Sequence, residues 1–288
     1  MGKVPERCAS IPHMTDSYRS LRVERADNGV VDVVLTGPGK GNAMGPDFWR
    51  EMPELFTALD ADDSVRAIVI RGDGKHFSYG LDLLAMSAEL GPLIQGDNLA
   101  LARTRLLDLI GRMQQACDRV ARCRKPVVAA IHGWCIGGGL DLASACDIRL
   151  ASSEARISLR EVKVAMVADI GSIQRLPRII GEAHTRELAY TGKDIDAARA
   201  LRIGLVSDVY DTPETLLREA RTLAQSIASN PPLVVQGIKQ VMDYCADKSL
   251  ADGLRYVAVW NAAFLQSQDL GEAMAAFIEK RPAVFKGE

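Results

Sequence analysis

The residues best equipped for chemistry lie in two glycine-containing turns and in one apolar stretch that carries acids. The first turn reads Ile131-His132-Gly133-Trp134-Cys135-Ile136-Gly137-Gly138-Gly139-Leu140-Asp141-Leu142, where three consecutive glycines join an apolar run to a helical pattern. Glycine allows a ligand to approach the main chain, and amides that open a helix carry partial positive charge suited to an oxyanion. The second turn, His76-Phe77-Ser78-Tyr79-Gly80-Leu81-Asp82-Leu83, follows the apolar run at 67–71. Two such turns after two buried strands can aim two amides at one oxygen, which is an oxyanion hole. A plain tight turn is the competing use of any one glycine group.

The acids are Asp141, just inside the helix that follows the glycines, with Glu161 and Asp169 in the apolar stretch at 161–171. An acid in apolar company is costly to ionise, so its pKa rises toward the range a general acid or base needs near neutrality. Each could instead cap a helix or pair with Arg160, Lys163 or Arg175, and Asp169 is placed to cap the helix carrying Gln174-Arg175-Leu176-Pro177. The histidines carry less. His132 ends a buried strand and reads as structural, His76 as a surface residue beside the second turn, and His13 and His184 have no informative company. There is no G-x-S-x-G elbow, no Lys-Ser or Lys-Thr after the glycines to make a P-loop, and Gly37-Pro38-Gly39-Lys40-Gly41 has the wrong spacing for a dinucleotide fingerprint.

The elements that must position these groups follow from periodicity. Runs at 18–24 and 30–36 flank Asp27-Asn28-Gly29, a hairpin signal. Phe48, Met52, Leu55, Phe56 and Leu59 recur at helical spacing over 46–60, with Pro46 in the first turn. Apolar runs at 67–70 and 127–131 read as strands buried on both faces, separated by a long helix from about 98 to 122 that stops at Lys125-Pro126. Short strands are expected at 148–151, 157–159 and 205–210. Strand, helix and strand with crossovers of this length indicate an α/β fold. Beyond 213 the pattern is helical only, at 213–229, 233–244, 250–266 and 269–280. Tyr256, Trp260 and Phe264 share one helical face there and read as core or interface packing. No low-complexity linker divides the sections, so one continuous unit is expected.

Composition sets the outer bounds. The chain has 288 residues, 48% hydrophobic and 25% charged, with a net charge of -2. Its charges are interspersed and no Lys-rich helix is present, which disfavours a nucleic-acid partner. Mean hydropathy is +0.01 and no apolar run reaches the roughly 18 residues of a membrane span. The six cysteines form no C-x-x-C pair and read as buried apolar residues in a reducing compartment, with no metal site. Residues 1–14 lack a signal or transit pattern and read as a disordered tail, with Met14 a possible start; cytoplasm is the expected location.

Taken together, Lys125-Pro126-Val127-Val128-Ala129-Ala130-Ile131-His132-Gly133, then Gly137-Gly138-Gly139-Leu140-Asp141-Leu142 and Cys146-Asp147-Ile148-Arg149, resemble the signature of the crotonase (enoyl-CoA hydratase/isomerase) superfamily. Asn42-Ala43-Met44, residues 77–83, Gln174-Arg175-Leu176-Pro177, Gly204-Leu205-Val206 and Phe277-Ile278-Glu279-Lys280 are similar to it as well. The resemblance spans about 18–280. It implies an α/β spiral of ββα repeats over 15–212, forming two roughly perpendicular sheets. Residues 213–288 would then be the helical region that builds trimers, often paired as hexamers. It also implies an acyl-CoA thioester substrate, with coenzyme A entering as part of that substrate and no separate cofactor. The thioester oxygen would be held by the Leu81 and Gly138 amides. Lys40, Ser78, Tyr79, Gly80, Asp82, Leu83, Phe277 and Lys280 would meet the substrate and its nucleotide. Tyr79, where small residues are common in the family, either narrows the acyl entrance or is neutral.

The acids decide the subfamily. Hydratases of this family carry two glutamates that hold a water, with glycine eight residues after the second. The set Asp141, Glu161 and Asp169, together with Trp260-Asn261, instead resembles the Δ3,5-Δ2,4-dienoyl-CoA isomerases. That likeness implies that Glu161 removes a proton at C2, Asp169 returns one at C6, and Asp141 orients or polarises nearby groups. An enoyl-CoA hydratase that tolerates aspartate at 141 is the alternative. A non-catalytic acyl-CoA-binding or RNA-binding homologue is a more distant one.

Overall fold

The computed structural model describes residues 18–95 and 99–288. The expected tail at 1–14, with Cys8, His13 and Met14, lies outside them, as does Asn98. Strands β1 (Leu21–Arg25) and β2 (Val30–Leu35) form the expected hairpin, with Leu21 opposite Leu35, and Gly29 takes φ 80 in the turn. Helix α1 (Pro46–Ala61) leads to β3 (Ala67–Gly72), then α2 (Ser87–Gln95) and α3 (Leu99–Arg122). Next come β4 (Val127–Ile131), β5 (Trp134–Ile136), α4 (Gly138–Ala145), β6 (Ile148–Ser152) and β7 (Arg156–Ser158). A 3-10 turn at Glu161–Val164 precedes α5 (Ser172–Thr191), which kinks at Gly181, then β8 (Asp194–Asp196), α6 (Ala197–Arg202) and β9 (Asp208–Tyr210). Helices α7 (Pro213–Ala228), α8 (Pro232–Cys245), α9 (Leu250–Phe264) and α10 (Gln268–Glu279) complete the chain.

The strands form a mixed six-stranded sheet, β1-β2-β3-β4-β6-β9, and a three-stranded sheet, β5-β7-β8. Successive turns of chain repeat one unit: β4 enters the large sheet, β5 the small one and α4 follows; β6 and β7 then do the same before α5. The α/β reading therefore holds, and the two glycine turns fall side by side at the ends of β3 and β4.

Side chains of the large sheet alternate between two cores, as strand geometry requires. Val31, Val33, Leu35, Ile68, Ile70, Val127, Ala129 and Ile131 pack with α1 and α3. Val30, Ala67, Val69, Val128 and Ala130 pack instead under Leu216, Ala220, Ala224 and Ala228 of α7. The charged exception on the α7 face is Asp32, 3% exposed, whose carboxylate accepts hydrogen bonds from Arg71 and Arg221. Helix α7 thus covers the sheet, although its sequence belongs to the helical run that begins at 213.

One expectation changes. The strand expected over 205–210 shrinks to Asp208–Tyr210, because Leu205 N–H and Val206 N–H donate back to Ala200 O and finish α6 instead. The three-residue strands β5 and β8, and α6, are too short to show a period in sequence. Among the described residues no helix is long and apolar enough to cross a membrane. Cys117, Cys123, Cys135 and Cys146 are buried free thiols and Cys245 is half-buried.

Candidate active site

The two glycine turns are zipped together by main-chain hydrogen bonds. Phe77 N–H donates to His132 O at 2.8 Å, Ser78 N–H to Trp134 O at 3.0 Å, and Ile136 N–H to Ser78 O at 3.0 Å. Gly80 has φ 77 and Gly137 φ 51, conformations that side chains rarely adopt. A Cβ on Gly80 would lie 2.5 Å from Ile136 O and 2.8 Å from Gly138 N, so only glycine permits this approach. Met44 brackets the turn on both sides of Leu81: its N–H donates to Gly80 O at 2.7 Å and its O accepts from Asp82 N–H at 3.0 Å. This ladder passes over Leu81 N–H. Gly138 N–H stands at the open start of α4. Neither amide donates to an acceptor among the described residues, and a Cβ on Gly138 would sit 3.4 Å from Leu81 N. Two free donors thus share one small space, as an oxyanion requires.

Ser78 does not face that space. It is fully buried, its hydroxyl donates to Asn42 O at 2.8 Å and accepts from Gly80 N–H at 3.0 Å, so it braces the turn and is not available to a nucleotide. Asn42, at φ 55, clamps the same turn from below by donating to Asp73 O and His76 O at 2.9 and 2.7 Å. His76 is half-buried: its Nδ1 accepts from Trp134 N–H at 3.2 Å, and burial lowers its pKa. The neutral ring therefore carries its proton on Nε2, 3.1 Å from the Tyr79 hydroxyl. Tyr79 stacks on His76 and lies against Gly41. Asp82 caps the following turn by accepting from Ala85 N–H at 2.9 Å, while Leu83 and Lys40 are exposed.

The acids come from three elements. Asp141, in the first turn of α4, is 1% exposed, and its Oδ1 accepts from Ser172 N–H at 2.6 Å. Burial pushes its pKa up to about 6; the Asp169 charge adds to this, while the Ser172 hydrogen bonds pull the other way. Glu161 opens the 3-10 turn with Oε1 against Gly137, and its Oε2 is buried without a hydrogen-bond partner. Burial pushes Glu161 up to about 7, with the Asp141 and Asp169 charges adding to the rise. Asp169 sits at the rim, open to solvent in the single chain, yet enough protein surrounds it to raise its pKa by desolvation. Its backbone O accepts from Gln114 Nε2 at 2.7 Å.

The competing uses of these acids can now be weighed. Arg160 pairs with Asp194, and Arg175 with Asp118 at 2.5 Å, so neither forms an ion pair with Glu161. Asp169 does not cap α5. Gly171 is the N-cap, and the side chain reaching the helix start is Asp141, from α4. Ser172 and Asn42 are the positioning residues that sequence reasoning missed. The signal for Ser172, a serine directly after Gly171 at a helix start, was present, but its partner lies 31 positions away.

Beside Glu161 opens a cavity of about 480 Å³ with apolar walls from Leu159, Val162, Ala168, Ile173 and Ala189; Asp141 and Asp169 are not in its lining. Phe277 is 82% exposed and Lys280 ends α10 at φ 55, and neither hydrogen-bonds to residues 78–83 in the single chain. Among the described residues no cluster of His, Cys, Asp or Glu is arranged to hold a metal ion.

Comparison with known proteins shows the family. Residues 25–288 match the family model described as enoyl-CoA hydratase/isomerase. The chain is 45% identical over 281 residues to the mitochondrial Delta(3,5)-Delta(2,4)-dienoyl-CoA isomerase of Dictyostelium discoideum, covering 96% of this chain and 94% of the relative. It is 40% identical over 272 residues to the peroxisomal Delta(3,5)-Delta(2,4)-dienoyl-CoA isomerase of Arabidopsis thaliana, covering 94% and 98%. The crystal structure of an enoyl-CoA hydratase from Bacillus anthracis superposes with a TM-score of 0.84 at 30% identity, covering 94% of this chain and all of that one (100%). The chain belongs to the enoyl-CoA hydratase/isomerase family and has the crotonase-type α/β fold.

Proposed function

We propose that this protein is a Δ3,5-Δ2,4-dienoyl-CoA isomerase. The observation that carries the reading is the third acid: Asp169 lies within electrostatic reach of both Asp141 and Glu161, where addition of water needs only two. The names of the Dictyostelium and Arabidopsis relatives support it.

In this reading the thioester carbonyl oxygen accepts from Leu81 N–H and Gly138 N–H. Ionised Glu161 takes a proton from C2. The electron pair passes into the carbonyl and conjugates with the C3=C4 and C5=C6 bonds, and the two amides stabilise the charge as it forms. Protonated Asp169 then delivers a proton to C6 as the double bonds settle at C2=C3 and C4=C5, so one proton leaves and one arrives. The cycle closes when Glu161 gives up its proton and Asp169 regains one. Asp141, tied to Ser172, tunes Glu161 through its charge. The acyl chain beyond the reacting carbons takes the apolar cavity beside Glu161. Lys40, Tyr79, Gly80, Asp82, Leu83, Phe277 and Lys280 belong to the thioester's binding surface.

Hydration of 2-enoyl-CoA is the second reading, since Asp141 and Glu161 are two acids near one amide pair and the Bacillus neighbour is named a hydratase. Supplying purified protein with 3,5-dienoyl-CoA and 2-enoyl-CoA in parallel, and following the absorbance of the conjugated diene, separates the two. Diene formation supports the isomerase. Loss of 2-enoyl-CoA with no diene from the other substrate supports the hydratase.

The proposal extends to a homotrimer or homohexamer, supported by the exposed apolar residues of α8–α10, such as Val234, Ile238, Met242, Leu254 and Met274. Cytoplasmic residence, the default of the sequence, belongs here too, and the mitochondrial and peroxisomal names of the relatives weigh against it. Cell fractionation decides it.

A further inference from the structure

The tie between Asp141 and Ser172 has no role in the proton transfers, yet both residues are buried. Asp141 is 1% and Ser172 0% exposed, and Ser172 N–H meets Asp141 Oδ1 at 2.6 Å. The Ser172 hydroxyl is buried, lacks a well-formed hydrogen-bond partner, and lies against the same carboxylate. Gly171, at φ 128, leaves no room for a side chain because Arg175 lies 1.9 Å from where its Cβ would stand, and Arg175 is itself held by Ile170 O and Asp118. Asp141 therefore sits against the positive start of α5, where amide and dipole both hold a carboxylate. One of its two oxygens is taken before any ligand arrives.

Water addition makes a different demand. The water's oxygen bonds to C3, one of its protons passes to a carboxylate, and C2 receives a proton as the C2=C3 pair opens. Both acids must then grip the same water. A carboxylate drawn back to a helix start and closed in by a serine hydroxyl is poorly placed to do so.

We infer that the main-chain N–H of Ser172 positions Asp141 and selects isomerisation over hydration by holding its carboxylate back against the start of α5. The inference rests on the isomerase reading for the first of these reactions. Its test compares kcat/KM for hydration of 2-enoyl-CoA with kcat/KM for isomerisation of 3,5-dienoyl-CoA in the full-length protein. Ser172→Pro removes the N–H at the first helical position, where proline is tolerated, and should raise the hydration-to-isomerisation ratio about tenfold, the scale of one hydrogen bond to a charged group. Ser172→Ala, which keeps the N–H and removes only the unpartnered hydroxyl, should keep the parent ratio. Asp141→Glu approaches the same tie from the other side, with a side chain too long to stay drawn back, and should move the ratio in the same direction as Ser172→Pro; it decides the matter if Ser172→Pro fails to fold. A ratio unchanged in Ser172→Pro and Asp141→Glu, or both reactions falling together, overturns the inference. A parent that does not isomerise at all counts against the proposed function, and the tie is then judged by whether the absolute hydration rate rises in the two variants.

Discussion

The glycine turns and the C-terminal helices are built by opposite rules. In residues 77–83 and 132–141 backbone groups are committed to neighbours within the chain, and an added Cβ at Gly80 would collide with backbone 2.5 Å away. The two amides left free are the ones that face each other. Helices α8–α10 instead leave Ile238, Met242, Leu254, Met274, Phe277 and Ile278 at least half exposed. Their ties to the rest of the chain include one Lys239–Asp147 ion pair, and the segment after α10 adds a hydrogen bond from Arg66 to Phe285 O. The difference teaches where each task is completed. The amide geometry needs nothing beyond one chain, whereas an apolar surface of this extent calls for a covering partner.

The sharpest break in that comparison comes from the acids inside the self-sufficient region. Glu161→Gln should lower kcat by about 10²–10⁴, the usual contribution of a general base. It should also stabilise the protein at pH 8. The folded-state pKa of Glu161 is raised to about 7 from an ordinary 4.5, so the native state holds more protons than the unfolded state between those values. Stability therefore declines as pH climbs through that window, and the glutamine variant should recover on the order of 1–3 kcal/mol at its upper end. Urea titrations at pH 5 and pH 8 read this directly; a glutamine variant less stable than the parent at pH 8 contradicts the electrostatic account. The pH profile of kcat/KM should show an acid limb near 7, where Glu161 becomes ionised.

Gly80→Ala comes next. Its methyl group would meet Ile136 O and Gly138 N and should displace Leu81 N–H, costing about 10²–10³ in kcat, the value of one oxyanion donor. Steady-state kinetics on 3,5-dienoyl-CoA checks it, and a variant as active as the parent removes these amides from the reaction. The smallest effect on the fold itself is expected at the other region. Leu254→Asp, at a side chain 60% exposed, should shift the assembly toward smaller species in light scattering while changing the circular dichroism spectrum little. An unchanged mass would mean that this face is not the covered one.

Much of this contrast was legible from the residues. The runs at 67–70 and 127–131 announced central strands because both faces are buried, and the helical run after 213 announced α7–α10. The raised pKa of Glu161 was legible from an acid in apolar company. Three-residue strands such as β5 and β8 were not, since no period can be read from three residues. Nor were pairings that only the folded chain creates. Asp169 looked like the cap of α5, but the reach across from α4 gives that place to Asp141. Ser78 matched a ligand-facing position, yet the fold turns its hydroxyl inward onto Asn42 and Gly80.

The central claim is that Asp169 serves the far end of the diene while Glu161 serves the near end. Running the reaction on 3,5-dienoyl-CoA in heavy water and locating the label tests it most directly. The parent should form 2,4-dienoyl-CoA carrying deuterium at C6. Asp169→Asn should lose that product by about 100-fold or more, within the range of a lost acid catalyst, while unreacted substrate still gains deuterium at C2. Formation of C6-labelled product by Asp169→Asn at the parent's rate would contradict the account.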